Sequence, residues 1–207
     1  MKNFSPSLFD SVEPGPRKAH KRQILSSALA CFNELGIEAT TIEAIRTRAD
    51  SSVGSIYHHF GNKEGLIAAL CFAALDDQLN LIQPRMKSAG TPREAIGQLI
   101  HSYLEWVTQK PELARFLSQA RHAVATGPFG KALGERNKQR YGDLHKWLSQ
   151  GVSDGAILAL PKETYASLLI GPSENFCRAW LSGRVKEPPI AYAEVFAEAA
   201  WRAVGRA

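Results

Sequence analysis

The chain has 207 residues, 44% hydrophobic and 22% charged, with 25 Lys and Arg against 20 Asp and Glu, a net charge of +5 and a pI of about 9.2. That length suffices for one or two domains and a sizeable core. Three widely spaced cysteines, Cys31, Cys71 and Cys177, exclude a disulfide framework and a C-x-x-C metal pattern, and the absence of an uncharged apolar run of about 20 residues or a signal-peptide pattern predicts a soluble, cytoplasmic protein with buried thiols.

Residues 1–16, with Pro6, Pro14, Gly15 and Pro16, have no period and predict a loose N-terminal arm. From Lys18 the apolar positions Leu25, Ala28, Leu29 and Phe32 follow the i, i+3, i+4, i+7 rule of a first helix, and Gly36 supplies its stop. Thr40 and Glu43 form a T-x-x-E capping box, so a second helix is expected to start there, with Ile42, Ile45 and Ala49 on its apolar side. Asp50 interrupts that pattern and tolerates the left-handed conformation of a sharp turn. Ser52 can cap a third helix, about Val53 to His59, which Ile56 and Phe60 pin to a core while Val53, Ser55, Tyr57 and His58 stay free. A short, anchored helix with small and hydrogen-bonding side chains at its N-terminal end suits a DNA major groove about 12 Å wide. Charge leans the same way: from Arg17 to Lys63 seven cations stand against four anions.

Asn62 can cap a fourth helix, which Leu66, Ile67, Leu70, Ala74 and Leu75 carry on toward Pro84. Beyond it, Pro92 opens a helix lined by Ile96, Leu99, Ile100, Tyr103, Leu104 and Val107, and Pro111 opens another with Leu113, Phe116, Leu117 and Ala120. After Gly127-Pro128 a long charged helix runs through Lys138, Tyr141, Leu144, Trp147, Leu148 and Val152 to Gly155. A further helix runs from Pro161 through Leu168, Leu169, Phe176 and Trp180 to Gly183, and Pro188-Pro189 leads into the last. No strand alternation is found, so the fold class is all-α, with about nine helices and no internal repeat.

The stretch Ile45 to Leu66 resembles the TetR/AcrR family of bacterial transcriptional regulators. The family pattern I-A-x-x-A-G-V-S-x-G-x-(Leu/Ile/Val)-Y-x-(His/Tyr)-F-x-(Ser/Thr)-K-(Glu/Asp)-x-L matches at Ala49, Ser52, Gly54, Ile56, Tyr57, His59, Phe60, Lys63, Glu64 and Leu66, and departs at Arg46, Asp50, Ser51 and Asn62. The resemblance implies a helix-turn-helix DNA-binding domain over 17–77, followed by a larger effector-binding and dimerisation domain over 78–207. It places Tyr57 and Lys63 on phosphates either side of the reading helix. The expected DNA-contacting set is Thr41, Arg46, Ser52, Val53, Gly54, Ser55, Tyr57, His58 and Lys63, with His59 expected to pack on the fourth helix. Arg46 and Arg48 lie on the helix that crosses the DNA backbone; for Arg46, phosphate contact and pairing with Glu43 or Asp50 are both open.

No G-x-S-x-G, H-E-x-x-H or Gly-rich phosphate loop is present, and the adjacent His58 and His59 point about 100° apart on a helix, too far to share a metal ion. Neither catalysis nor a cofactor is expected. Tyr103, Trp106, Phe116, Gln119, His122, Trp147 and Asn175 are the candidates for an effector pocket, resembling sets that line such pockets in the family. Leu169, Phe176, Trp180, Tyr192, Val195, Phe196 and Ala199 offer apolar stripes for a four-helix dimer interface. The sequence thus predicts a homodimeric repressor that leaves double-stranded operator DNA when a small molecule binds. The alternative is an all-α ligand-binding module or enzyme whose helix-turn-helix is structural.

Overall fold

Helices begin where a side chain can take the first orphan amide and end where the backbone must turn. The computed structural model describes Phe9, Gly15 and residues 18–206, and among these residues eleven α-helices follow one another: α1 (Ala19–Leu35), α2 (Ile42–Ala49), α3 (Val53–Phe60), α4 (Lys63–Lys87), α5 (Pro92–Gln109), α6 (Pro111–Thr126), α7 (Gly130–Arg140), α8 (Gly142–Ser153), α9 (Lys162–Leu169), α10 (Gly171–Leu181) and α11 (Ala193–Val204), the last preceded by a four-residue 3-10 turn, Pro189–Tyr192.

The all-α class holds, but two expected helices are each broken. The helix predicted from Pro161 to Gly183 ends at Leu169 because Pro172, in the first turn of α10, has no N–H for the carbonyl four residues back. The long charged helix breaks at Tyr141, whose φ of −91° and ψ of 3° lie outside the helical well. Conversely, Pro84 does not stop α4, which continues through it to Lys87 with one backbone hydrogen bond missing.

The chain divides into two units. The first comprises the chain up to Asp77 together with Glu112–Arg136. Its core is Ile24, Leu25, Ala28, Leu29 and Phe32 of α1, Ile45 and Ala49 of α2, Ile56 and Phe60 of α3, and Leu66 and Leu70 of α4. α6 joins it through Phe116, which stacks on Phe32 at 5.5 Å, and through Asn33 Nδ2, which donates to the Glu112 carbonyl. Arg136 closes the unit, pairing with Asp76 at 2.7 Å and lying 4.6 Å over the Phe72 ring. A single boundary after residue 77 does not describe this grouping: α6, expected in the second domain, packs on α1. Phe9, from the segment expected to be a loose arm, is fully buried, and the Gly15 carbonyl accepts from Arg22. The rest of that arm, residues 1–8, 10–14 and 16, lies outside the described residues.

The second unit comprises Gln78–Pro111 and the chain from Asn137 onward. α5 runs along α11 and buries Ile96, Leu99, Ile100, Leu104, Trp106 and Val107; α8 adds Leu144 and Leu148. The end of α11 is tied back by two backbone bonds, Leu158 N to Val204 O and Arg206 N to Ala156 O. Tyr165 Oη donates to the Leu158 carbonyl at 2.6 Å. At the tail of α4, Arg85 pairs with Glu105 of α5 at 2.5 Å. α4 is long and apolar enough to cross a membrane by length and composition, yet more than half of its most apolar stretch is buried inside the protein. That apolarity is core.

Candidate nucleic-acid interface

The reading helix is built by three caps in a row. The first sits one residue later than predicted: Thr41, not Thr40, caps α2, its Oγ1 accepting from Ala44 N at 3.1 Å. Thr40 is buried and its hydroxyl is directed at the carbonyls of Gly36 and Cys31, sealing the end of α1, so the capping role passes to its neighbour. Asp50 then takes the left-handed conformation, φ 46° and ψ 53°. Ser52 caps α3 by accepting from Ser55 N at 3.0 Å, and Asn62 Oδ1 caps α4 by accepting from Gly65 N at 2.7 Å. These three assignments match the expectation.

Ile56 and Phe60 anchor α3 in the core. What remains outward on the helix is Val53, Gly54, Tyr57, His58 and His59, with Val53 37% and Tyr57 47% exposed, and the capping Ser52 is exposed just before them. Five exposed positions on eight residues leave this helix little other work within its own unit. Thr41 is exposed at the head of α2. Lys63 Nζ donates to the Glu38 carbonyl at 3.0 Å, which holds the ammonium at the start of α4 with two N–H groups left over.

The arginines of α2 are engaged within the protein. Arg46 lies on Glu43, Nη2 to Oε1 at 2.7 Å and Nε at 2.9 Å, and the pairing holds the Glu43 carboxyl below its ordinary pKa. Of the two open readings for Arg46, pairing with Glu43 is the one observed. Arg48 makes two bonds to Glu34, at 2.7 and 2.8 Å, with its side chain only 13% exposed. Lys18, Lys21 and Arg22 add positive charge around the start of α1. Lys21 Nζ lies 5.9 Å over the Phe60 ring.

His59 does not pack on α4 as expected. It is exposed, with its ring 6.2 Å from His20 of α1 and 5.3 Å from His58. Partial burial, and then His58, His20 and Lys21, push its pKa below the usual histidine value. Sequence reasoning missed His20, whose Nε2 lies 3.0 Å from Ser51 Oγ and 3.1 Å from Ser55 Oγ. No spacing rule reaches across 31 residues; its place in the basic start of α1 was the one available signal. Ser55, expected to be free, is half-buried beneath it. Among the described residues no group of three or more His, Cys, Asp or Glu could hold a metal ion.

The other predicted residues are scattered. In the second unit Trp106 is buried, Tyr103 and Trp147 are half-buried and Asn175 is exposed; in the first, Phe116 is spent on Phe32 while Gln119 and His122 are exposed. Phe176 of α10 meets both Tyr192 and Phe196 at 5.1 Å, Trp180 is half-buried, and Ala199 and Val195 are exposed, Val195 to 65%. Leu169, counted with these as a surface residue, is 1% exposed: the break at Ile170 turns it into its own unit.

A family model described as bacterial regulatory proteins, tetR family, matches residues 24–70, the span of α1 from Ile24 through α2 and α3 into α4. Over that span the chain carries a TetR-family domain. It is accordingly a DNA-binding transcriptional regulator, and the match spans both α2 and the capped, outward-facing α3 whole. Its curated relatives include the HTH-type transcriptional repressor KstR2 of Mycobacterium tuberculosis, 27% identical over 141 residues, 68% of this chain and 70% of that one. Among solved structures, a TetR family transcription regulator from Marinobacter aquaeolei superposes with a TM-score of 0.79 at 22% identity, covering 92% of this chain and 98% of the other. FadR from Bacillus subtilis, solved in complex with stearoyl-CoA, superposes with a TM-score of 0.76 at 19% identity, covering 87% and 97%. The TetR architecture thus extends over most of the chain.

Proposed function

We propose that this TetR-family regulator is a cytoplasmic repressor that binds operator DNA as a homodimer through α3 and is released by a small-molecule effector. The observation that carries the reading is the reading head itself: α3 is capped by Ser52, anchored by Ile56 and Phe60, and turns Val53, Gly54, Tyr57 and His58 to solvent. Such a helix end meets base edges, while Tyr57 and Lys63 hold the flanking phosphates. Two heads on one operator make the second contact effectively intramolecular. Effector binding favours a head spacing that no longer matches grooves about 34–36 Å apart, a population shift transmitted along α4, whose residues belong to both units.

Repressor action is supported by KstR2, which carries that name. FadR was solved with stearoyl-CoA, so long-chain acyl thioesters are the first effectors to test. The reading head is tested by selection from random duplexes followed by salt titration. Lys63→Ala is expected to weaken all sequences alike and to lower the salt slope by about one, with the selected consensus unchanged. An unchanged slope at full affinity would take Lys63 off the phosphate.

A further inference from the structure

His20 stands 31 residues before Ser51 and 35 before Ser55, yet one ring nitrogen, Nε2, is within hydrogen-bonding distance of both hydroxyls. That nitrogen can play only one role at a time. With its proton on Nδ1, Nε2 is an acceptor and takes a hydroxyl proton from one serine, which then presents lone pairs alone to whatever lies beyond. With a proton on Nε2, as in the other neutral tautomer or in the imidazolium, His20 donates, and both serines keep their own O–H to point elsewhere. The difference matters to base recognition. A hydroxyl donor pairs with purine N7, guanine O6 or thymine O4, whereas an acceptor pairs with the amino groups of adenine or cytosine. Ser55 lies in the first turn of α3, its amide already used in the cap with Ser52.

We propose that His20 is a positioning residue for base recognition: through Nε2 it fixes the donor or acceptor character of Ser55 and Ser51. This rests on α3 being the reading helix. Around His20 stand His59 of α3, with His58 against it, Lys18 and Lys21 on either side in sequence, and Asp50, which adjoins Ser51 in the turn.

The experiment is selection from random duplexes by the full chain and its variants, followed by affinity measurement on the selected duplex. His20→Gln keeps an amide within reach of the serines, so it should retain a consensus close to that of the unaltered chain. His20→Ala should alter preference at the same base pair as Ser55→Ala, and the double variant should go no further. Because His20 is exposed, both His20 variants should melt with the unaltered protein. An unchanged consensus for His20→Ala would overturn this proposal alone. Failure of the unaltered chain to enrich any sequence would overturn the reading-helix assignment together with it.

Discussion

Gly54 fills a fixed position of the motif and Gly65 a variable one, and the fold treats them oppositely. A Cβ added at Gly65 would lie 1.9 Å from the Phe60 carbonyl oxygen, so the first turn of α4 can approach the end of α3 only without a side chain. At Gly54 an added Cβ would meet only Ser52 Oγ, at 3.9 Å, an ordinary contact. Folding leaves room for alanine there, and alanine in a helix is favoured over glycine by about 0.5–1 kcal/mol. Gly54→Ala is therefore expected to unfold at equal or higher denaturant while losing about tenfold in operator affinity, equivalent to ~1.4 kcal/mol, because the methyl group stands where the backbone approaches the groove. Urea unfolding and a gel shift measure the two halves. A stable variant that binds fully would remove Gly54 from the interface.

At the scale of elements, the tail of α4 is fastened to α5 by one carboxylate. Glu105 accepts from Arg85 and from Gln109 Nε2, and the Arg85 guanidinium, ahead of the other neighbours, holds its carboxyl below the ordinary value of 4.5. A depressed carboxylate stabilises the fold fully above that value, and the contribution is lost as pH falls below it through the folded-state pKa. Glu105→Gln should lower stability at neutral pH by no more than about 1 kcal/mol, given the partial exposure of both partners, and should flatten the stability curve on the acid side. Parallel acid-side curves for the two proteins would show that the pair contributes nothing. Elements of this kind were legible wherever one residue decides the local backbone: Asp50 at the turn, Ser52 and Asn62 at the caps. They were illegible where two neighbours compete for one role, as with Thr40 and Thr41, since only the buried end of α1 decides which hydroxyl is spent. Gly171-Pro172 did announce the break between α9 and α10, but the apolar period running through it masked the signal. Long-range partners, such as Arg48 on Glu34 or His20 on Ser51 and Ser55, follow no periodicity and emerge only from the packing of α1 on α2 and α3.

For the whole molecule, the proposed assembly turns on α11. Phe196 is a poor probe, because its ring packs on Phe176 and a charge there would disturb folding and association together. Val195, 65% exposed on the same helix, separates the two. Val195→Glu should fold with unchanged helical content, sediment as a monomer at micromolar concentration, and bind operator DNA orders of magnitude more weakly, because the second head is no longer tethered to the first. An unaltered protein that is itself monomeric at micromolar concentration would refute the dimer.

Cys31, Cys71 and Cys177 are all buried, and burial pushes the Cys177 thiol up to about 12. Burial keeps all three from alkylating reagents in the folded chain, and since thiolate, not thiol, is the attacking form, Cys177 is doubly protected, so little maleimide labelling of the native chain is expected near neutral pH. A single cysteine introduced at an exposed position such as Val53 or Val195 can then be tagged without first removing the native three. Fluorophore pairs placed this way would report the distance between reading heads directly, with and without an acyl thioester.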